Sequence, residues 1–288
     1  MSRGTAPELP TDPRQDWAFL GQEERDAAYD NNAAVADSAA QIEARNRLSA
    51  ERRAKPGALL DLAYAPGERT RWDLYPAADP TAPCLVFIHG GYWLRNSREL
   101  FAMLVDGMGA HGWSVALPGY TLAPEATLTQ IAAEMQVAMD WLAASGPEHG
   151  IGGPVVVSGW SAGAQLAALL LSHPLVVGGL AISGVYELGP IRDTKLNDVL
   201  KLTDDEVRQL SPLRLPVVAK PLAIVYGTSE LPPFVWDARR FHAMRAAAYA
   251  PGVLVPMAEE NHFSILDHLR WSDGQLVRLA LTLLEGVA

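Results

Sequence analysis

Cysteine is almost missing from this 288-residue chain: Cys84 stands alone, with no partner for an internal disulfide. It lies in an apolar stretch and reads as a small buried hydrophobe, and the expected compartment is a reducing cytoplasm. Basic residues are also scarce. There are 23 Lys and Arg against 33 Asp and Glu, a formal charge of −10, and no basic run offers the patch that nucleic acid or an anionic membrane would require. No apolar run reaches the roughly 18 residues of a spanning helix. The stretch Met1 to Asp16 lacks the apolar core of a secretory signal. Metal-site patterns are missing too, with no His-Glu-x-x-His, no cysteine pair and no tight His/Asp cluster. No Gly-x-Gly-x-x-Gly follows the first parallel strand, so neither a metal nor a dinucleotide is expected and no cofactor is implied. The rest is 49% hydrophobic and 19% charged, ample for one large α/β domain over 1–288. Its expected partner is a small-molecule substrate, with a homodimer left open.

The chain begins with a Pro/Thr/Asp-rich arm to about Pro13, followed by an Ala-, Glu- and Arg-rich helical extension up to residue 55. Leu59 to Tyr64 and Arg71 to Tyr75 flank Pro66-Gly67 and predict a hairpin at one edge of a sheet. From Cys84 onward strands and helices alternate. Strands are predicted at Cys84 to Ile88, Ser114 to Leu117, Pro154 to Ser158, Gly179 to Ser183, Leu222 to Tyr226 and Val253 to Pro256. Helices are expected near Arg98 to His111, Leu128 to Ala144 and Phe234 to Ala248, with another at the C-terminus. This alternation implies a mostly parallel sheet with helices on both faces and ligands at the carboxyl ends of its strands. The stretch 187–212 carries a capping-box pattern, Thr203 with Glu206. It reads equally as part of a lid or as a surface helix on a long connection.

The strand Pro154-Val155-Val156-Val157 stops at Gly159-Trp160-Ser161-Ala162-Gly163, and an Ala/Leu-rich helical segment starts at once. That strand–turn–helix context is what a nucleophile elbow needs. Small neighbours at Gly159 and Gly163 allow a tight turn that pushes the Ser161 hydroxyl outward. The free amides at the start of the following helix face the place where an oxyanion would form.

A nucleophilic Ser161 needs a base, an acid to orient the base, and oxyanion donors. The loop His89-Gly90-Gly91-Tyr92 directly follows a strand and supplies donors from Gly91 and Tyr92, joined by the Ala162 amide. His89 itself reads as a brace for this loop. After the later strand, Gly227-Thr228-Ser229-Glu230 presents Glu230 as the orienting acid, with Asp237 and Asp267 as weaker rivals. His262, after the last strand, completes the order Ser, acid, His. Trp93, Trp160, Phe234 and Phe263 are the aromatic candidates for a substrate pocket.

These residues together resemble a known family. His89-Gly90-Gly91-Tyr92-Trp93 is similar to the His-Gly-Gly-x-Trp signature of the serine-dependent kynurenine formamidases, relatives of the hormone-sensitive-lipase group of esterases. Gly119 to Glu125, the Ser161 elbow, the Tyr226 to Phe234 loop and His262-Phe263 resemble the same family in order and spacing. The resemblance implies an α/β-hydrolase that removes the formyl group from an aryl formamide of the N-formylkynurenine type. Two positions depart from the family: Glu230 stands where many members have Asp, and Trp160 replaces a histidine common before the nucleophile. Two further readings stay open: a short-chain carboxylesterase or other amidase with the same machinery, and a non-catalytic binding protein on a hydrolase scaffold.

Overall fold

The computed structural model describes residues 17–284; the expected N-terminal arm lies outside them. Eight strands form one sheet: β1 (Leu59–Ala63), β2 (Arg71–Tyr75), β3 (Cys84–Ile88), β4 (Ser114–Pro118), β5 (Val155–Trp160), β6 (Val176–Ile182), β7 (Leu222–Gly227) and β8 (Gly252–Met257). Their spatial order is β1-β2-β4-β3-β5-β6-β7-β8. The hairpin β1-β2 is antiparallel and joins β4 antiparallel, while every pair from β4 to β8 is parallel. The hairpin therefore sits at one edge, as its Pro-Gly turn predicted, and the alternating half builds the parallel sheet.

The central strands read as continuous apolar runs because both of their faces are covered. Successive side chains point to opposite faces: Cys84, Val86 and Ile88 enter one core with Val155, Val157, Leu222 and Ile224. Leu85, Phe87, Val156, Ala223 and Val225 enter the other. The first core is closed by the helix Leu128–Ser145, whose buried residues Leu128, Ile131, Met135, Ala138, Met139 and Leu142 follow the three-and-four spacing of one helix face. This helix starts at a reciprocal cap, in which the Thr127 hydroxyl accepts from the Gln130 amide and the Gln130 side chain accepts from the Thr127 amide. The second core is closed by Phe101 and Leu104 with Leu276 and Val277 of the helix Gln275–Thr282. The segment expected as one helix from Arg98 is a 3-10 helix, Arg98–Leu104, continued by a short α-helix, Val105–Gly109.

Before the sheet, helices occupy Gln22–Ala27, Asn31–Ala34 and Ser38–Arg53. The stretch 187–212 folds into short helices at Gly189–Arg192, Asn197–Leu200 and Asp204–Leu210. The last begins with the expected Thr203–Glu206 capping box, and Glu206 also accepts from the amide and hydroxyl of Thr129. These two regions meet. Asp26 accepts from the Lys195 amide at 2.7 Å and faces its ammonium at 3.3 Å, and the Trp17 indole donates to Asp193 at 3.0 Å. Together they roof the carboxyl ends of the parallel strands. Among the described residues no helix is long and apolar enough to cross a membrane.

Candidate active site

Ser161 stands between β5 and the helix Ala162–Leu170 with φ 58° and ψ −121°, a left-handed conformation that non-glycine residues rarely adopt. The two elbow glycines show why the turn must be so tight. A Cβ on Gly159 would lie 2.1 Å from the Gly163 carbonyl oxygen, and one on Gly163 would lie 2.1 Å from that of Ile88. The helix is packed directly against β3 and β5, and no side chain fits between them. The Ser161 amide donates to Ile182 across the sheet at 2.9 Å. Its side chain is left at the wall of a cavity of about 820 Å³ with the helix N-terminus behind it.

His262 reaches the same cavity from the loop after β8. Its Nδ1 lies 2.8 Å from Glu230 Oε2, and both side chains are buried. A carboxylate can only accept here, so the proton sits on Nδ1 and Nε2 is the basic nitrogen. Glu230 follows β7 on a tight turn. Its Oε1 accepts from the Gly227 amide at 2.7 Å and from the Ser183 hydroxyl at 2.5 Å. The glutamate is thus gripped at one oxygen by protein donors and offers the other to the imidazole. Ser183, at the carboxyl end of β6, was not among the sequence candidates. Its place at a strand end beside the acid loop was the available signal.

The rival acids are engaged elsewhere. Asp237 is buried in the helix Pro232–Ala247 and accepts from the amides of Tyr186 and Glu187 at 2.8 and 3.0 Å, fixing the chain after β6. Asp267 faces Arg270 at 3.8 Å. The His262 turn has its own support. Asn261 Oδ1 accepts from the amides of Phe263 and Ser264, and Ser264 donates to Glu260, which also bonds His268 at 2.8 Å.

After β3, Gly91 has φ 119° and Tyr92 φ 53°, and both residues line the cavity. Among the described residues the amides of Gly91, Tyr92 and Ala162 donate no hydrogen bond, which leaves them available beside Ser161. His89 braces this loop as expected. Its ring stacks on Tyr120 at 4.2 Å, its Nδ1 lies 3.0 Å from the Gly90 carbonyl oxygen, and burial lowers its pKa to about 3. The Tyr92 hydroxyl ties the loop to the roof, donating to the Tyr29 carbonyl at 2.7 Å and accepting from Asn31 Nδ2 at 3.1 Å.

Of the four expected pocket aromatics, the structure places Trp160 and Phe263 in the cavity wall. The other two expectations are corrected. Trp93, which follows Tyr92 with φ 57°, is fully buried in the core and is not part of the cavity wall. Phe234 is also buried and is not part of the wall; it packs behind His262, with ring centroids 4.6 Å apart. Much of the wall comes from residues that were not named as site candidates, including Tyr29, Asn31, Arg45 and Asn96, and from Thr194, Leu196 and Val199 of the stretch 187–212.

Residues 73–173 match the family model described as BD-FAE. Over 242 residues the chain is 26% identical to a kynurenine formamidase of Danio rerio, covering 78% of this chain and 82% of the relative. It is also 26% identical over 243 residues to a kynurenine formamidase of Salmo salar, with the same two coverages. A crystal structure from Silicibacter sp. tm1040, provisionally named a thioesterase, superposes with TM-score 0.79 at 27% identity, covering 88% of this chain and 98% of that one. Esterase B of Lactobacillus rhamnosis, with a bound phosphonate inhibitor, shares the fold at TM-score 0.72 and 18% identity, over 92% and 96% of the two chains.

Proposed function

We propose that this kynurenine formamidase-like α/β-hydrolase, a serine hydrolase by its relatives and fold, removes a small acyl group, formyl first of all, from an arylamine. The observation that carries the reading is the buried His262–Glu230 pair, which opens onto the same cavity as the strained elbow serine. His262 Nε2 takes the proton of Ser161 as Oγ attacks the formyl carbon. The amides of Gly91, Tyr92 and Ala162 receive the negative oxygen, and Glu230 stabilises the imidazolium. The imidazolium then gives its proton to the departing amine nitrogen as the C–N bond breaks. Water, deprotonated by His262, attacks the formyl-enzyme, and formate leaves as Ser161 recovers its proton.

A formyl group needs almost no room beside Ser161, whereas an aromatic leaving group needs flat apolar contact. Trp160, Phe263, Tyr29 and Tyr92 ring the cavity and supply that surface. Short-chain ester hydrolysis is the second reading, favoured by the esterase neighbours of the fold. The same residues would serve it. A panel of aryl formamides and p-nitrophenyl esters decides between them, with Ser161→Ala as control. The proposal expects a higher kcat/KM for N-formylkynurenine than for p-nitrophenyl acetate. The opposite preference, with negligible formamide turnover, replaces it by the esterase reading.

A further inference from the structure

The helix Ser38–Arg53 contributes an arginine to the cavity that holds Ser161 and His262. Arg45 is only 6% exposed, yet no carboxylate pairs with it among the described residues. Its neighbours on the helix behave differently: Arg52 pairs with Asp106, and Arg53 with Asp73. The Arg45 guanidinium lies over the Phe101 ring, 4.5 Å from its centroid. Nε and Nη2 donate to Asn46 Oδ1 at 3.2 and 3.0 Å, and Nη2 reaches Asn96 Oδ1 at 3.4 Å. Both acceptors are neutral amides, and Nη1 has no partner among the described residues. Burial lowers its pKa to about 10, so the group stays charged at neutral pH.

A buried guanidinium held in place by stacking and amide oxygens, but without a counter-ion, is costly unless something anionic joins it. The acids of the cavity wall are occupied: Asp26 binds Lys195, and Asp30 caps the helix Asn31–Ala34 through the Ala33 amide at 3.1 Å. The other cations of the wall, Arg95 and Lys195, are exposed. We propose that Arg45 is a specificity-determining residue that binds a carboxylate carried by the substrate, so that this enzyme acts on aromatic acyl compounds bearing a carboxylate away from the scissile bond. The planar fork of Arg suits such a group, and the aromatic wall at Tyr29, Trp160 and Phe263 suits its ring. The proposal rests on reading this cavity as the substrate site and extends that reading to the charge of the substrate.

The test uses a probe pair of nearly equal size and shape that replaces an anionic carboxylate by a neutral amide, phenylbutanoate and phenylbutanamide. Calorimetric binding to the wild-type protein is measured for both, together with their competition against any substrate of the panel that turns over. The acid is expected to bind about tenfold or more tightly than the amide. In Arg45→Met and Arg45→Gln the ratio should approach one, while Arg45→Lys retains part of it. Because the ratio is taken within each variant, a general loss of packing cancels. Equal binding of acid and amide by the wild type overturns the proposal. So does a preference that survives Arg45→Met and Arg45→Gln, or one that vanishes in Arg95→Ala or Lys195→Ala instead. Binding is read without turnover, so a failure to cleave formamides would reject the proposed reaction and leave this result to stand or fall separately.

Discussion

The indole Nε1 of Trp160 donates to the carbonyl oxygen of His262 at 2.8 Å, and the two rings pack with centroids 4.8 Å apart. The residue before the elbow serine thereby fixes the loop of the late histidine. Trp160 is thus a strut between the two ends of the proposed proton-transfer pair. Trp160→Phe keeps a ring but leaves a buried carbonyl unpaired. It should lower kcat/KM about threefold to tenfold on every substrate of the panel, with the melting temperature also reduced. Steady-state kinetics beside a thermal melt check both effects.

Glu230 is gripped by Ser183 and Gly227 at one oxygen and serves His262 with the other. Glu230→Gln should therefore cut kcat by several orders of magnitude, about 10⁴-fold if the imidazole adopts the wrong tautomer. Asp267→Asn should leave kcat within about twofold, because Asp267 faces Arg270. Asp237→Asn should act mainly on stability, since two buried amides depend on that carboxylate. Activity at the wild-type level in Glu230→Gln would refute the acid assignment.

Tyr92→Phe removes the hydroxyl that links the loop after β3 to Tyr29 and Asn31. Stability should fall by about 1 to 2 kcal/mol. Hydrogen exchange should quicken in the roof segment 22–34, and KM should rise more than kcat falls. Unchanged exchange there would show that the roof is held by its other contacts alone.

His89 is buried and neutral, with its pKa held near 3 by desolvation, far below the value of about 6.5 in an unfolded chain. Between these values the unfolded state binds a proton that the folded state does not. This contribution to stability is complete above about pH 6.5 and is lost as pH falls toward 3, with a slope of up to about 1.4 kcal/mol per pH unit. Denaturant unfolding at pH 7, 6, 5 and 4 should show this decline, and His89→Gln should flatten it. Parallel slopes in the two proteins would mean that other groups carry the acid sensitivity.

Local patterns were enough to set the architecture. Apolar runs such as Cys84 to Ile88 and Leu222 to Tyr226, separated by helical spacing, can only be buried strands of a parallel sheet, and all appear at or near the expected bounds. Ser161, Glu230 and His262 were proposed together because each follows a strand and a parallel sheet gathers its carboxyl ends on one side; His262 does meet Glu230 and shares a cavity with Ser161. Direction and pairing were not legible. Trp93 and Phe234 are apolar and close to the site in sequence, but both are buried in the core and neither lines the cavity, Phe234 packing instead against the His262 ring. Ser183 lies 47 positions from Glu230, and its strand-end position alone did not say which loop it would meet; Arg45 sits inside a helical stretch with no local pattern to mark it as a cavity residue. The sequence alone determined which residue types stand at strand ends, because backbone periodicity is a local property. Only the tertiary structure decided which of them meet, because the roof over the sheet, and the buried arginine within it, come from segments distant in sequence.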